Sequence, residues 1–166
     1  MDSIVTTPVE ALRALAEKWY ERNSIIAVGH YKAAARYAGL HVKLSSGAAM
    51  LSAAVGTAVF VALQQQPAKW LQIGTGLLSI LAAILATLAA KLGYQDKAEK
   101  HRIAGSKYNS VGRELEQILA QSEIDRGSIK EVRIRLDALA QEMPHIPRSV
   151  HSKMPKFRDV DNWDGR

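Results

Sequence analysis

The 166-residue chain contains no cysteine. That excludes disulfides, thiolate metal sites and a cysteine nucleophile, and it suits a reducing cytosol. Proline is scarce, and Pro8, Pro67 and Pro144 stand where a helix is expected to begin, turn or end. Charge is missing from residues 44–90 apart from Lys69. No phosphate-binding glycine loop, nucleophile elbow or zinc-binding helix motif is present. Glu114 and Glu116 are two positions apart, so they do not share a helix face. No catalytic constellation emerges, so the chain reads as a non-enzyme with no cofactor and no metal. The opening MDSIVTTPVE lacks a basic region followed by an apolar run, so no cleaved signal peptide is expected.

What the chain does have is two charge-free blocks, 44–63 and 70–90. A helix of about 20 residues rises roughly 30 Å, the thickness of a bilayer core. Helices at the surface of a soluble core normally carry charge on one face. A helix apolar all round needs apolar surroundings on every side, and a chain of this size can scarcely enclose two. The fold class expected is therefore all-α: a membrane protein with a two-helix transmembrane hairpin, long cytosolic helical extensions and a C-terminal helical hairpin. A buried hairpin in a soluble bundle is the alternative. The mean hydropathy of −0.09 averages apolar spans with polar arms.

The net charge of +6 is unevenly spread. Basic residues flank both blocks: Lys32, Arg36 and Lys43 before the first, Lys91, Lys97, Lys100 and Arg102 after the second. Cations beside membrane spans are retained on the cytoplasmic side, which predicts cytoplasmic termini and a turn at 64–69 on the far side. The same cations attract anionic headgroups, so lipid is the expected partner and direct nucleic-acid binding is not. Tyr37 and Trp70 fall near opposite faces, as an interfacial belt would place them.

The remaining segments follow from local signals. Residues 1–6 read as a flexible lead-in. Thr7, Pro8 and Glu10 form a capping box that opens a helical region over 7–43, with Asn23-Ser24 a place for it to break or recap. A long cytosolic helix is expected over 91–126 and another over 128–143, the second opened by a capping box of Ser128 and Glu131. An extended or disordered tail over 144–166 is expected to follow, with Phe157 and Trp163 as a possible docking peptide. Ala104, Tyr108, Val111, Leu115 and Ile118 alternate at four–three spacing, a coiled-coil-like seam. Val132, Leu136 and Leu139 continue it on the next helix. This seam is expected either to fold the two helices together or to assemble subunits.

Small residues recur every four positions in the spans: Ala48, Ser52 and Gly56, then Thr75, Ser79, Ala83 and Thr87. They read as packing stripes, or as the lining of a wet lumen if copies assemble. No ionisable residue lies inside either span, which argues against a proton relay. His30 and His41 share a helix face; packing or exposure is the simple reading, pH sensing or metal binding the sharper one. Helical rise alone brings His30 and Tyr31 level with His101 and Ala104 on two antiparallel arms.

The HYKAAAR stretch at 30–36, the small-residue spans and the AEKHRIAGSKY stretch at 98–108, through Arg113 and Leu115, resemble the SLATT family of SMODS and SLOG-associating two-transmembrane effector domains. The resemblance covers roughly residues 10–122. It implies a bacterial effector that oligomerises and perforates the inner membrane in a conflict or anti-phage system, once a separate sensor or nucleotide-signalling partner responds. No nucleotide-binding segment fits in this chain, so the sensor is expected elsewhere. A membrane-tethered adaptor, with the hairpin as anchor and residues 95–143 binding a partner, is the competing reading.

Overall fold

The structure is a computed structural model that describes residues 7–64 and 68–155, with side chains from 7–61 and 68–155. The expectations for 1–6, for Pro67 in the turn, and for Phe157 and Trp163 lie outside the described residues. Among the described residues five helices follow in order: α1 Pro8–Gln64, α2 Lys69–Lys91, α3 Tyr94–Leu119, α4 Arg126–Glu142 and α5 Arg148–His151. Among the described residues there is no strand.

The capping box forms at the start of α1. The Thr7 amide donates to Glu10 Oε2 (2.7 Å) and the Glu10 amide to Thr7 Oγ1 (3.3 Å). Helix α1 then passes through Asn23-Ser24 without interruption. Asn23 is buried there, and its amide nitrogen donates to the Tyr108 carbonyl on α3 (2.7 Å), so tertiary packing overrides its preference for a cap. Helix α2 stops at Lys91 because Gly93 adopts a left-handed conformation (φ 56°) that only glycine takes without strain. The long helix expected from residue 91 therefore starts at Tyr94. Helix α4 starts at Arg126, not at the Ser128–Glu131 box. Asp125 is its cap and accepts from the Ser128 amide (3.1 Å). A carboxylate at a helix N-terminus is favoured by the exposed amides and by the helix dipole, and those hydrogen bonds hold Asp125 below the usual carboxylate range.

The chain divides into two compact units, Met1–Ala34 with Glu99–Arg166, and Ala35–Ala98. In the first, the early part of α1 packs with α3 and α4 around one core. Ala16, Ala27, Tyr108, Val111, Leu115, Ile118, Ile129, Val132 and Leu139 are its buried members, with Leu136 packed against them. Glycines on α3 make room for larger side chains of α1, Gly105 for Tyr31 and Gly112 for Asn23. A Cβ at Gly105 would lie 3.1 Å from the Tyr31 ring, so the helices approach more closely than larger side chains allow. Arg13 closes the end of α3 by donating to the Leu119 and Gln121 carbonyls, both at 2.7 Å, which satisfies groups a helix end leaves open.

The tail after Pro144 departs from the extended form expected. It carries α5, buries Val150 and half-buries Ile146 and Met154. These three apolar residues recur every fourth position, which gives the segment one sticky face despite its prolines.

In the second unit, α1 beyond Ala35 pairs with α2. Ala48 and Ala82 are buried, and Leu44, Leu51, Val55, Ala58, Thr75, Leu85 and Ala89 are half-buried.

Candidate functional site

Two features carry functional interest, one in each unit. The first is the outer surface of the apolar helix pair. Among the described residues, α1 and α2 each contain a stretch long and apolar enough to cross a membrane, with 6% of each stretch buried. The core helix of a soluble protein is mostly buried. Here Phe60, Ile73, Leu77 and Ile80 are all 60% exposed or more. Water is a poor solvent for such a surface; at ~25 cal/mol per Å² of apolar area, lipid is strongly favoured.

The two helices meet along positions spaced alternately three and four, Ala48, Leu51, Val55 and Ala58 against Ala82, Leu85 and Ala89. The stripes expected at strict four-residue spacing behave differently. Ala48 is buried and Thr75 half-buried, but Ser52, Gly56, Ser79, Ala83 and Thr87 are exposed. The reason is geometric: steps of four drift ~40° each around a 3.6-residue helix, so the row leaves the interface within two turns. The residues that pair the spans were visible only as a heptad-like register of Ala, Leu and Val. Ala83 and Thr87 line a shallow open groove on α2 with Ile80, Ile84 and Leu88.

Four hydroxyls in the apolar stretches are satisfied locally. Thr57 donates to the Ala53 carbonyl (3.0 Å), Thr75 to Leu71 (2.8 Å), Ser79 to Thr75 (2.9 Å) and Thr87 to Ala83 (2.8 Å). A hydroxyl bonded back to its own helix presents no unmet polar group to hydrocarbon. In the same unit Tyr37 stacks on Tyr94 (5.9 Å between ring centres) and the Lys97 ammonium lies 5.5 Å from the Tyr94 ring. Arg36, Lys43, Lys91 and Lys97 are exposed around this end, as are Lys32, Lys100 and Arg102 in the other unit.

The second feature is a buried pair of histidines. His30 on α1 and His101 on α3 are both nearly inaccessible, and their Nδ1 atoms are 3.0 Å apart. The level predicted from helical rise is thus met. The Tyr108 ring stacks on His30 with 5.4 Å between centres. A hydrogen bond between two Nδ1 atoms needs one to carry a proton and the other to offer a lone pair, so the contact cannot survive protonation of both rings. Burial, with the neighbouring His101 as a lesser cause, lowers His30 to about 4, and burial also lowers His101. Two imidazoles alone make a poor metal site, and among the described residues no group of three or more His, Cys, Asp or Glu could hold an ion. The partner of His30 is this ring rather than His41, which belongs to the other unit.

The eight seam residues have a definite place. Ala104, Tyr108, Val111, Leu115, Ile118, Val132 and Leu139 are buried and Leu136 half-buried, all within a single chain. The seam holds α1, α3 and α4 of one copy together, and of the eight Leu136 keeps part of its surface open.

The model for family 4 of the SMODS and SLOG-associating 2TM effector domains matches residues 13–158. The chain belongs to that family. The match runs past residue 122, where the resemblance in the sequence fades, and takes in α4, α5 and the start of the tail. This SLATT chain is an all-α membrane protein, and its domain is a two-transmembrane effector. No curated protein and no solved structure matches it.

Proposed function

We propose that the protein is a non-enzymatic effector that oligomerises in the bacterial inner membrane and opens a lesion or channel there, on a signal from a separate sensor. The observation that supports this best is the exposed outer surface of the helix pair: apolar, uncharged and with the hydroxyls of Thr57, Thr75, Ser79 and Thr87 bonded back to their own helices. The packed cytosolic unit supplies a closed state. A partner that binds the open form better shifts the population toward it. In assembled copies, Ser52, Gly56, Ser79, Ala83 and Thr87 are the residues available for helix–helix contact or for a neutral, weakly selective lumen. The basic flanks support cytoplasmic termini.

Induced expression in a bacterium with a potential-sensitive dye tests this reading. Depolarisation should precede growth arrest. Arrest with potential and dye exclusion unchanged would count against it. Activity retained by residues 95–166 on an unrelated anchor would favour an adaptor.

A further inference from the structure

The C-terminal segment after α4 is not needed to complete the core of α1, α3 and α4, yet it is folded against α1. Pro144 and Pro147 break the helix, α5 forms a single turn, and Val150 is buried. The landing point on α1 is Gly29. A Cβ built there would lie 2.6 Å from Met154 Cε and 2.8 Å from Met154 Sδ and Ile146 Cδ1. Nothing larger than a hydrogen fits between the backbone of α1 and these two side chains. Gly29 lies beneath them, and its neighbour in the chain is His30, whose ring holds α1 to α3. The same helix α1 carries the first apolar span.

We propose that residues 146–154 are a detachable latch: seated on Gly29, they hold the arm of α1 that bears His30 against α3 and keep the effector at rest. Several features fit a part that comes off. The contact with Gly29 is made by a short segment, through Ile146 near its start and flexible Met154 at its end. Pro144 ahead of it and Pro147 within it prevent it from becoming a rigid continuation of α4. None of its residues belongs to the hydrophobic core cluster of α1, α3 and α4, so it belongs to the low-stability end of the molecule, from which switching elements are drawn. Release would free the face of α1 at Gly29 without unfolding the three-helix core.

The inference that the latch restrains activity rests on the membrane-opening reading, and the test separates the two. The cysteine-free chain accepts a pair of substitutions at exposed neighbours of the contact, Val28→Cys with Lys153→Cys, closed by a short, reducible bis-methanethiosulfonate bridge. Full-length protein in phosphatidylglycerol-containing vesicles is compared closed, reduced, and as the single variant Met154→Asp. Three measurements are made: cross-link yield, hydrogen exchange over residues 26–34, and dye release. We expect near-complete intramolecular bridging, with at least ~10-fold slower exchange over 26–34 in the closed form than in Met154→Asp. Dye release should fall on closure, return on reduction and exceed the unmodified level in Met154→Asp. Failure to bridge, or exchange equal in closed and Met154→Asp proteins, overturns the latch. Dye release that ignores the latch while exchange responds overturns its restraining role. No dye release from any form, with exchange still responding, sinks the membrane-opening reading and leaves the latch standing.

Discussion

In the unit of Met1–Ala34 and Glu99–Arg166, Leu115 and Val132 are fully buried; in the Ala35–Ala98 unit, Leu77 and Ile80 stand 60% exposed or more. The residue types are alike and the secondary structure is the same. What differs is where the apolar surface goes. The first unit spreads charge over its outside and folds its seam onto two neighbouring helices, so it carries its own core. The second has little charge to spread and only one neighbour for each helix, so most of its apolar surface must meet something other than protein or water. Burial alone thus separates a helix that makes its own apolar environment from one that depends on lipid for it.

Substitutions can break or sharpen this contrast, beginning with the core. Leu115→Ala should cost about 2–5 kcal/mol in chemical unfolding of the helical signal, whereas Leu77→Ala should change it by less than about 0.5 kcal/mol. Equal effects would erase the distinction between the units. A charge in the second unit comes next. Ile80→Arg should disfavour insertion by about 3 kcal/mol, seen as a shift of protein out of the membrane fraction, while Arg at exposed Ser106 should leave fractionation unchanged.

The histidine pair adds a pH dependence to the first unit only. Its folded pKa is lowered, so the folded state prefers neutral His30 and the associated stability is complete above about 6.5. It is lost as pH falls from there toward about 4. The loss should reach about 3 kcal/mol, at ~1.4 kcal/mol per pKa unit, and His30→Gln should flatten the curve between pH 6.5 and 4. Gly93→Ala should cost about 1–2 kcal/mol, the penalty of a left-handed alanine, because no atom lies near the added methyl. Smallest of all, Arg102→Ala should leave stability unchanged, since its ion pair with Glu99 (2.6 Å) is open to solvent.

The large features of this arrangement were legible in the sequence because a single strong physical effect decides each of them. Two charge-free blocks announce the hairpin. Thr7 and Glu10 announce the first helix start, since a capping box is purely local. The juxtaposition of His30 and His101 follows from helical rise once the hairpin is granted. What was illegible depended on competition or on long range. Ser128 and Glu131 have the spacing of a capping box, yet Asp125 three positions ahead caps the helix, and spacing cannot say which wins. Gly93 looked no different from the glycines that stay inside helices until its backbone was seen. Ser52 and Gly56 marked a plausible stripe, but the pairing register belongs to Leu51 and Val55. The docking of Met154 on Gly29 joins positions far apart in the chain, and only the repeat of Ile146, Val150 and Met154 hinted that this segment had a face to hide.

The central claim is that lipid solvates the outer face of the helix pair. Nitroxide labels on single cysteines at positions 50, 77 and 80, where large apolar side chains are exposed, of the otherwise cysteine-free protein, reconstituted in vesicles, measure this directly through collision with oxygen and with a water-soluble nickel chelate. High oxygen and low nickel accessibility at all three, against the reverse at exposed Lys130, is the result predicted. High nickel accessibility at 50, 77 and 80, or protein that stays in the aqueous phase without detergent, would contradict it.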